Sequence, residues 1–282
     1  MIDPVELLPQ KIVVVAPHMD DELLACGGVM ARLPQKEEIH IIYATDGMKS
    51  PSPILPQDRI TPDLGLVRRK ESVAAMGMLG VPSENLHFLN LPEAALQKHA
   101  AALRRALLEH IESLDPAHIL MPFRFDRHPD HLAVNHVLTA AHRQGRIQAQ
   151  MIEYFVYTRW RLLPGRDVRR YVRRPYLLAV DTRSVAAQKR RALDCFQSQT
   201  TLFYPWQTRP ILTPQLLDDV SQTPEYFLPY DASLPGASVF ADMVFWIRFV
   251  HRLEPRLQRW KYLFGASLQR RLRREWYTDS RR

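Results

Sequence analysis

Residues 11–22 of the chain read Lys-Ile-Val-Val-Val-Ala-Pro-His-Met-Asp-Asp-Glu, and this stretch decides the fold. The run from Lys11 to Pro17 is apolar and rich in β-branched residues, which is typical of a strand buried on both faces of a parallel sheet. Polar residues follow at once, and a helical pattern over Glu22–Leu33 comes next. A buried strand that leads through a short polar loop into a helix predicts the first βα unit of an α/β domain.

The alternation of strand and helix patterns continues along the chain. Further strands are predicted at 39–44, 86–91, 118–122, 151–158 and 176–181. Further helices are predicted at 64–79, 94–114, 131–143 and 184–197. Residues 201–235 are rich in proline and aromatic side chains and show no clear period. We therefore expect one α/β domain over 1–235, a Rossmann-like, mostly parallel sheet with helices on both faces, followed by a basic helical C-terminal extension over 236–282.

The composition is that of an ordinary globular protein. The chain has 282 residues, of which 46% are hydrophobic and 24% charged, and this excludes a collagen-like, low-complexity or wholly disordered chain. Cys26 and Cys195 are too few for a disulfide framework, so we expect a reducing compartment. We see no signal-peptide pattern and no stretch of about 20 apolar residues, and therefore expect a cytoplasmic protein without a spanning helix.

The net charge of +8 is concentrated at the C-terminal end. Residues 248–282 hold eleven Lys/Arg and three Asp/Glu, so the preceding chain is neutral. Aromatic and aliphatic side chains are interleaved with these arginines, and three interpretations stay open: a helix docked on the domain, a helix in a membrane interface, and a partner-binding segment. One expectation is therefore peripheral membrane contact through 239–282. No RNA-binding aromatic motif is present, so we do not expect a nucleic-acid partner.

Two clusters of histidines and acids follow the first and fourth predicted strands. The first is His18–Glu22 and the second is Phe123–His131. Each also has a structural interpretation, because Asp20 could cap the following helix and the second cluster could form a plain turn with a cap. The carboxyl ends of parallel strands form the ligand-binding edge of an α/β sheet, so we expect the clusters to meet there. Together they offer a two-histidine, one-carboxylate set that suits catalytic zinc or ferrous iron: His18, Asp21 and His131.

These motifs resemble those of the PIG-L/LmbE-like zinc N-deacetylases, which remove acetyl groups from N-acetylglucosamine-type sugars. The Ala-His-Pro-Asp-Asp-Glu motif of that family is matched by Pro17–Glu22, and its His-Pro-Asp-His motif by His128–His131. A Thr-x-Gly turn at Thr45–Gly47 and an Arg-x-x-Glu helix at Arg68–Glu71 lie between them. The resemblance covers about residues 11–143.

The resemblance implies a role for each matched residue. It implies metal ligation by His18, Asp21 and His131, general-base catalysis by Asp20, oxyanion stabilisation or acid catalysis by His128, and contact with sugar hydroxyls by Arg68. Asp130 either orients His128 or belongs to the turn. The sequence departs from the family at Met19, where the family has proline, and at Met48, where it often has an acid.

The resemblance therefore implies a zinc-dependent hydrolase that removes an N-acetyl group from an N-acetylglucosamine-type amino sugar in glycan or glycoconjugate biosynthesis. An amidase acting on a thiol-sugar precursor or an antibiotic stays open. So does a different class, a basic membrane- or nucleic-acid-binding protein on an inactive scaffold. Seven arginines at 159–174 form either a solvated hairpin or a rim that meets an anionic substrate, such as a sugar phosphate or diphosphate. A phosphate- or lipid-linked amino sugar therefore stays open as the substrate.

Overall fold

The fold can be followed over most of the first 231 residues. The computed structural model describes residues 2–51, 63–126, 128–156, 172–204, 207, 209–222 and 224–231. The extension expected over 236–282 and the arginines at 159–170 lie outside these residues. Within them, no helix combines the length and the apolar character needed to cross a membrane.

Strands and helices alternate as the sequence predicts up to residue 143. The strands are β1 Ile12–Ala16, β2 Ile39–Thr45, β3 Leu86–Leu91, β4 His118–Pro122, β5 Gln150–Tyr154, β6 Leu178–Val180 and β7 Glu225–Pro229. The helices are α1 Pro4–Leu7, α2 Asp21–Arg32, α3 Leu64–Met78, α4 Ala100–Leu114, α5 Pro129–Arg143, α6 Ala186–Asp194, α7 Gln197–Thr200 and α8 Pro214–Gln222. The helix predicted at 94–114 begins as a 3₁₀ turn at Leu96–His99 and continues as α4.

The described strands form one sheet in the order β3-β2-β1-β4-β5-β7-β6. The first five strands are parallel, and β7 is antiparallel to both of its neighbours. The mostly parallel α/β sheet is therefore confirmed. From β1 the chain adds β2 and β3 on one side of the sheet, and it then returns to add β4 and β5 on the other side. The boundary between β1 and β4 is therefore a topological switch point, where an open α/β sheet leaves a crevice for ligands.

The far side of the sheet differs from the sequence prediction. The strands predicted at 151–158 and 176–181 are present as β5 and β6, and an additional strand that the sequence did not predict, β7, lies between them. β7 and α8 both come from 201–235, where no period was evident. The pairing of β7 is non-local, and the short segment that forms it carries an acid, Glu225, that is fully buried. Neither feature can be read from a local pattern.

β1 is the centre of the molecule because its side chains enter two hydrophobic cores. Ile12, Val14 and Ala16 pack in the core that contains α2, α3 and α6. Val13 and Val15 pack in the core that contains α4 and α5. All five side chains are at most 1% exposed, as expected for a strand covered on both faces. This double burial holds the loop that follows β1 in place.

A buried ion pair between Lys189 and Glu225 is hydrogen-bonded to the backbone of α2. The Glu225 carboxylate accepts the backbone N–H groups of Gly28 at 2.6 Å and Val29 at 2.8 Å. Lys189 Nζ donates to Glu225 at 2.7 Å and to the carbonyl oxygen of Leu24 at 3.2 Å. Both charged side chains are 0% exposed. Side chains from α6 and β7 therefore bond backbone groups in the middle of α2, the helix that begins directly at the predicted metal loop.

Candidate metal centre and active site

The loop after β1 bends sharply at Asp20. Its backbone has φ 143° and ψ −23°, a conformation that side-chain-bearing residues rarely adopt. Asp20 occupies the N-cap position of α2, yet its side chain makes no capping hydrogen bond. Its N–H instead donates to Glu22, whose other carboxylate oxygen accepts the Tyr43 hydroxyl at 3.0 Å. The capping interpretation of the Asp20 carboxylate is therefore wrong, and this carboxylate lines the cavity at the sheet edge.

Three side chains converge on one point between the ends of β1 and β4. Asp21 Oδ2 lies 3.1 Å from His18 Nδ1 and 3.1 Å from His131 Nε2. The two imidazole nitrogens are 3.3 Å apart. These three atoms form a nearly equilateral triangle, which we call the metal triangle. All three residues are at most 4% exposed.

The remote nitrogen of each histidine in the metal triangle contacts a buried carboxylate. His131 Nδ1 lies 2.9 Å from Asp126 Oδ2, and His18 Nε2 lies 3.2 Å from Asp130 Oδ2. Asp130 also accepts two backbone N–H groups at the start of the segment before α4. The sequence assigned Asp130 to His128 or to the turn, whereas here it orients His18. Carboxylates in this position fix the ring orientation of metal-binding histidines.

His128 lies beside the metal triangle at the N-terminus of α5. Its ring packs edge-on against His18 with centroids 4.5 Å apart. One ligand atom from each of His18, His128 and His131 lies within 4.8 Å of the others, so these histidines also form a group able to hold a metal ion. His128 Nδ1 accepts the N–H of Asp130 at 3.2 Å, which places the proton of the neutral ring on Nε2. Burial, together with His18 and His131, lowers the pKa of His128 to about 2.

The electrostatics of the centre favour a positive charge within it. Burial by itself lowers the pKa of His131, but Asp21 and Asp126 outweigh burial and raise this pKa to about 9. Burial likewise opposes the charge on His18, yet Asp21 and Asp130 hold its pKa well above the ordinary value. The surrounding carboxylates thus favour positive charge at both rings. A histidine binds a metal ion through a deprotonated nitrogen, so a divalent cation held here would supply that positive charge in place of a ring proton.

Next to the metal triangle is a cavity of about 350 Å³. Arg68 forms part of its wall and is 1% exposed. The guanidinium donates to the carbonyl oxygen of Met19 at 2.6 Å and lies 3.4 Å from Asp20 and 3.8 Å from Glu93. Burial raises the pKa of Asp20 to about 7, although the Arg68 charge opposes the shift. Met19, which replaces the proline of the family motif, is buried, and its carbonyl helps to fix Arg68.

The structure brings all of the sequence-predicted site residues to one edge of the sheet. Sequence reasoning missed Asp126, Glu93 and Gln199, of which the last two line the cavity. Asp126 had a signal, since it is an acid five residues before His131 and metal-binding histidines commonly have a carboxylate partner. Gln199 had none. Away from this edge of the sheet, His40 Nδ1 on β2 and His87 Nε2 on β3 lie 3.4 Å apart.

The fold and the site together define a mostly parallel α/β domain with a His/Asp centre at the switch point of its sheet. Residues 13–142 match the family model PIG-L, described as GlcNAc-PI de-N-acetylase. The match covers a little under half of the chain and includes both histidine-containing clusters, and over these residues the chain is similar to the PIG-L de-N-acetylases.

Solved structures share the fold at low sequence identity. The A40926 pseudoaglycone deacetylase Dbv21 is 22% identical with a TM-score of 0.57, and the match covers 78% of this chain and 96% of that one. N,N'-diacetylchitobiose deacetylase from Pyrococcus horikoshii is 18% identical with a TM-score of 0.56, covering 83% and 87%. The 4-carboxy-2-hydroxymuconate hydratase GalB from a Pseudomonas strain is 16% identical with a TM-score of 0.55, covering 80% and 98%. The fold therefore also carries a hydratase.

One curated relative matches over a short stretch. A glucosamine-6-phosphate deaminase-like protein from Bacteroides thetaiotaomicron is 42% identical over 40 residues. The match spans 14% of this chain and only 6% of that protein's length.

Proposed function

We propose that the chain is a zinc-dependent hydrolase that removes the acetyl group from the nitrogen of an N-acetylglucosamine-type amino sugar. The observation that carries the proposal is the metal triangle of His18, Asp21 and His131 at the switch point, with Asp20 beside it. Two imidazoles and a carboxylate are the donors that catalytic zinc takes while keeping a position for water. Ferrous iron accepts the same donors, so the metal itself is part of the test.

The size of the metal triangle supports this ligand set. A tetrahedral ion about 2.0–2.1 Å from its ligands separates them by about 3.3–3.4 Å. The three edges of 3.1–3.3 Å need only a small expansion to reach that value. His128 is the alternative third donor, but its Nδ1 already accepts the N–H of Asp130. We therefore assign ligation to the triangle and keep His128 for the substrate.

The remaining residues divide the work of amide hydrolysis. The bound cation would act as a Lewis acid, activating water and polarising the amide carbonyl. Asp20 accepts the proton of the attacking water and passes it to the leaving nitrogen. His128 Nε2–H donates to the carbonyl oxygen as negative charge develops on it, and it does so as a neutral donor. Arg68 fixes the Asp20 loop through Met19 and presents its guanidinium to the sugar hydroxyls. The products are acetate and the free amine.

The substrate class is supported by the family and by the cavity. The PIG-L description and the name of the Pyrococcus enzyme both refer to N-acetylated amino sugars. A volume of about 350 Å³ lies at the small end of ligand pockets, which suits one or two sugar rings. A phosphate or lipid attached to the sugar would extend beyond this cavity. We propose that the arginines at 159–174 meet such a phosphate, and that 239–282 rests on an anionic membrane, on the strength of their charge.

The proposal is tested by metal analysis combined with acetate release. The purified chain is expected to hold close to one zinc ion and to release acetate from N-acetylglucosamine glycosides. Asp20→Asn keeps the metal but loses about 10²–10⁴-fold in turnover, because the amide cannot accept the proton of water. His131→Ala loses the metal, whereas His136→Ala, an exposed residue of α5, keeps both metal and activity.

Full metal content in His131→Ala would exclude the ligand assignment. Near-normal turnover in Asp20→Asn would remove Asp20 as the base. Zinc binding without acetate release from any acetylated sugar or small amide would leave the hydratase-type neighbour as the better guide to the reaction.

A further inference from the structure

One wall of the cavity comes from outside the family motifs. Gln199 on α7 and the segment 209–219 line it, and all of these residues follow the matched region 13–142. The backbone oxygen of Gln199 accepts the N–H of Leu212 at 2.8 Å, which joins the two parts of this wall. The metal triangle belongs to the opposite, motif-bearing side. Gln199 therefore faces the part of the substrate that is not being hydrolysed.

The amide group of Gln199 has a fixed orientation. Its Nε2 donates to the carbonyl oxygen of Ser50 at 2.8 Å and to Ser198 Oγ at 2.9 Å. A carbonyl oxygen cannot donate, so the contact with Ser50 establishes which end of the amide is nitrogen. Ser198 Oγ donates its own proton to Glu71 at 2.6 Å, and Glu71 also accepts the Ser198 N–H at 2.8 Å. Both amide hydrogens of Gln199 are thus used.

The other end of the amide is unsatisfied. Gln199 is 0% exposed, and its Oε1 has no hydrogen-bond partner among the described residues. Buried acceptors are nearly always paired, because an unpaired one loses its hydration without compensation. Gln199 lines the cavity, so a ligand bound there is placed to supply the missing donor. A bound molecule with a donor at this point would remove the cost.

We propose that Gln199 Oε1 accepts a hydrogen bond from a hydroxyl group of the amino sugar, which makes Gln199 a specificity-determining residue. The inference rests on the proposed function for the identity of the ligand. A neutral oxygen acceptor favours a hydroxyl over a phosphate, whose oxygens are mostly deprotonated near neutral pH. Ser198 and Glu71 act as positioning residues behind it. This gives the glutamate of the Arg-x-x-Glu motif a role, since Glu71 holds the residue that holds Gln199.

The test measures sugar binding without turnover. The zinc-loaded Asp20→Asn chain is titrated by calorimetry with the methyl glycoside of N-acetylglucosamine and with its 3-deoxy, 4-deoxy and 6-deoxy forms. Adding Gln199→Met, which keeps side-chain length but has no acceptor, is expected to weaken binding of the parent sugar about tenfold. Binding of one deoxy sugar is expected not to change, because its missing hydroxyl is the partner. Gln197→Met, an exposed change on the same helix, has no effect.

A second variant guards against a folding defect. Ser198→Ala keeps Gln199 but removes one of its anchors, and is expected to give a smaller loss with the same preference among the four sugars. Three outcomes would overturn the inference. Gln199→Met could weaken the binding of all four sugars equally, it could leave their binding unchanged, or the sugars could bind neither to the Asp20→Asn chain nor to the same chain with Gln199→Met. Acetate release by the wild-type chain from the same glycoside is measured separately. Acetate release without a selective loss of sugar binding keeps the proposed function and rejects the role of Gln199. A selective loss of sugar binding without acetate release keeps the role of Gln199 and rejects the proposed hydrolysis.

Discussion

Replacing Lys189 by methionine is expected to destabilise the protein far more than any change to a surface lysine or arginine. The substitution preserves length and apolar stem but removes the ammonium that lies 2.7 Å from Glu225. Among the described residues, the buried Glu225 carboxylate then keeps the N–H groups of Gly28 and Val29 as its partners. The Leu24 carbonyl oxygen also loses its contact with Lys189.

The magnitude follows from the burial of both partners. Neither side chain is exposed, so water cannot replace the lost charge, and removing one partner of such a pair costs about 3–5 kcal/mol. The lost hydrogen bond to Leu24 adds about 1 kcal/mol. A neighbouring change gives the matched control. Arg190→Met removes two partly exposed ion pairs, with Asp194 and Asp218, and is expected to cost less than about 2 kcal/mol.

Urea unfolding followed by circular dichroism measures both variants. The double variant Lys189→Met with Glu225→Gln removes both charges, and we expect it to be more stable than Lys189→Met by about 2 kcal/mol. The amide oxygen that replaces the carboxylate in the double variant can still accept one helix N–H. Two results would refute this reasoning. Lys189→Met could lower the free energy of unfolding no more than Arg190→Met does, or adding Glu225→Gln could lower it further.

Two further predictions concern the metal centre and the C-terminal extension. Asp126→Leu is expected to weaken zinc binding about 10–100-fold, measured by competition with a chelator, because His131 loses the carboxylate that orients it; unchanged affinity would show that packing alone orients the ring. A chain ending near Gly236 is expected to lose binding to anionic vesicles in a sedimentation assay while still releasing acetate from a soluble sugar, since the whole net charge of +8 lies beyond residue 247; equal, negligible binding of the full chain to anionic and neutral vesicles would contradict the membrane proposal.

The sequence predicted those parts of the molecule that depend on local pattern. The β-branched run of β1 and the polar loops after β1 and β4 were enough to place both clusters at one sheet edge, because parallel strands end together. The position of β7 could not be predicted, since its partners β5 and β6 precede it by many residues and nothing local specifies the pairing. Glu225 in particular looks like an ordinary surface acid until Lys189 and the backbone of α2 are placed around it.

Asp130 and Gln199 show the same limit at the level of single residues. Motif spacing placed Asp130 at the site but could not say which imidazole its carboxylate would reach. Gln199 stands in a stretch without any motif, and only the network through Ser198 and Glu71 shows that its amide is held in one orientation. Roles that depend on the direction of a side chain therefore emerge only from the assembled structure.

The hydrogen bonds between the α2 backbone and Glu225 also limit where the chain can be truncated without loss of the fold. The backbone N–H of Gly28 in α2, the helix that follows β1 and carries Asp21, donates to Glu225, which lies 197 positions further along the chain. Leu193, Phe196 and Phe227 belong to the hydrophobic core on the same face of the sheet. A recombinant fragment confined to 13–142 would carry every metal-binding motif and yet lack that carboxylate and that packing. The block of sequence that recurs among relatives is thus smaller than the cooperative folding unit. A gene-fusion or domain-shuffling event that moved the motifs alone would transfer the ligands without the enzyme.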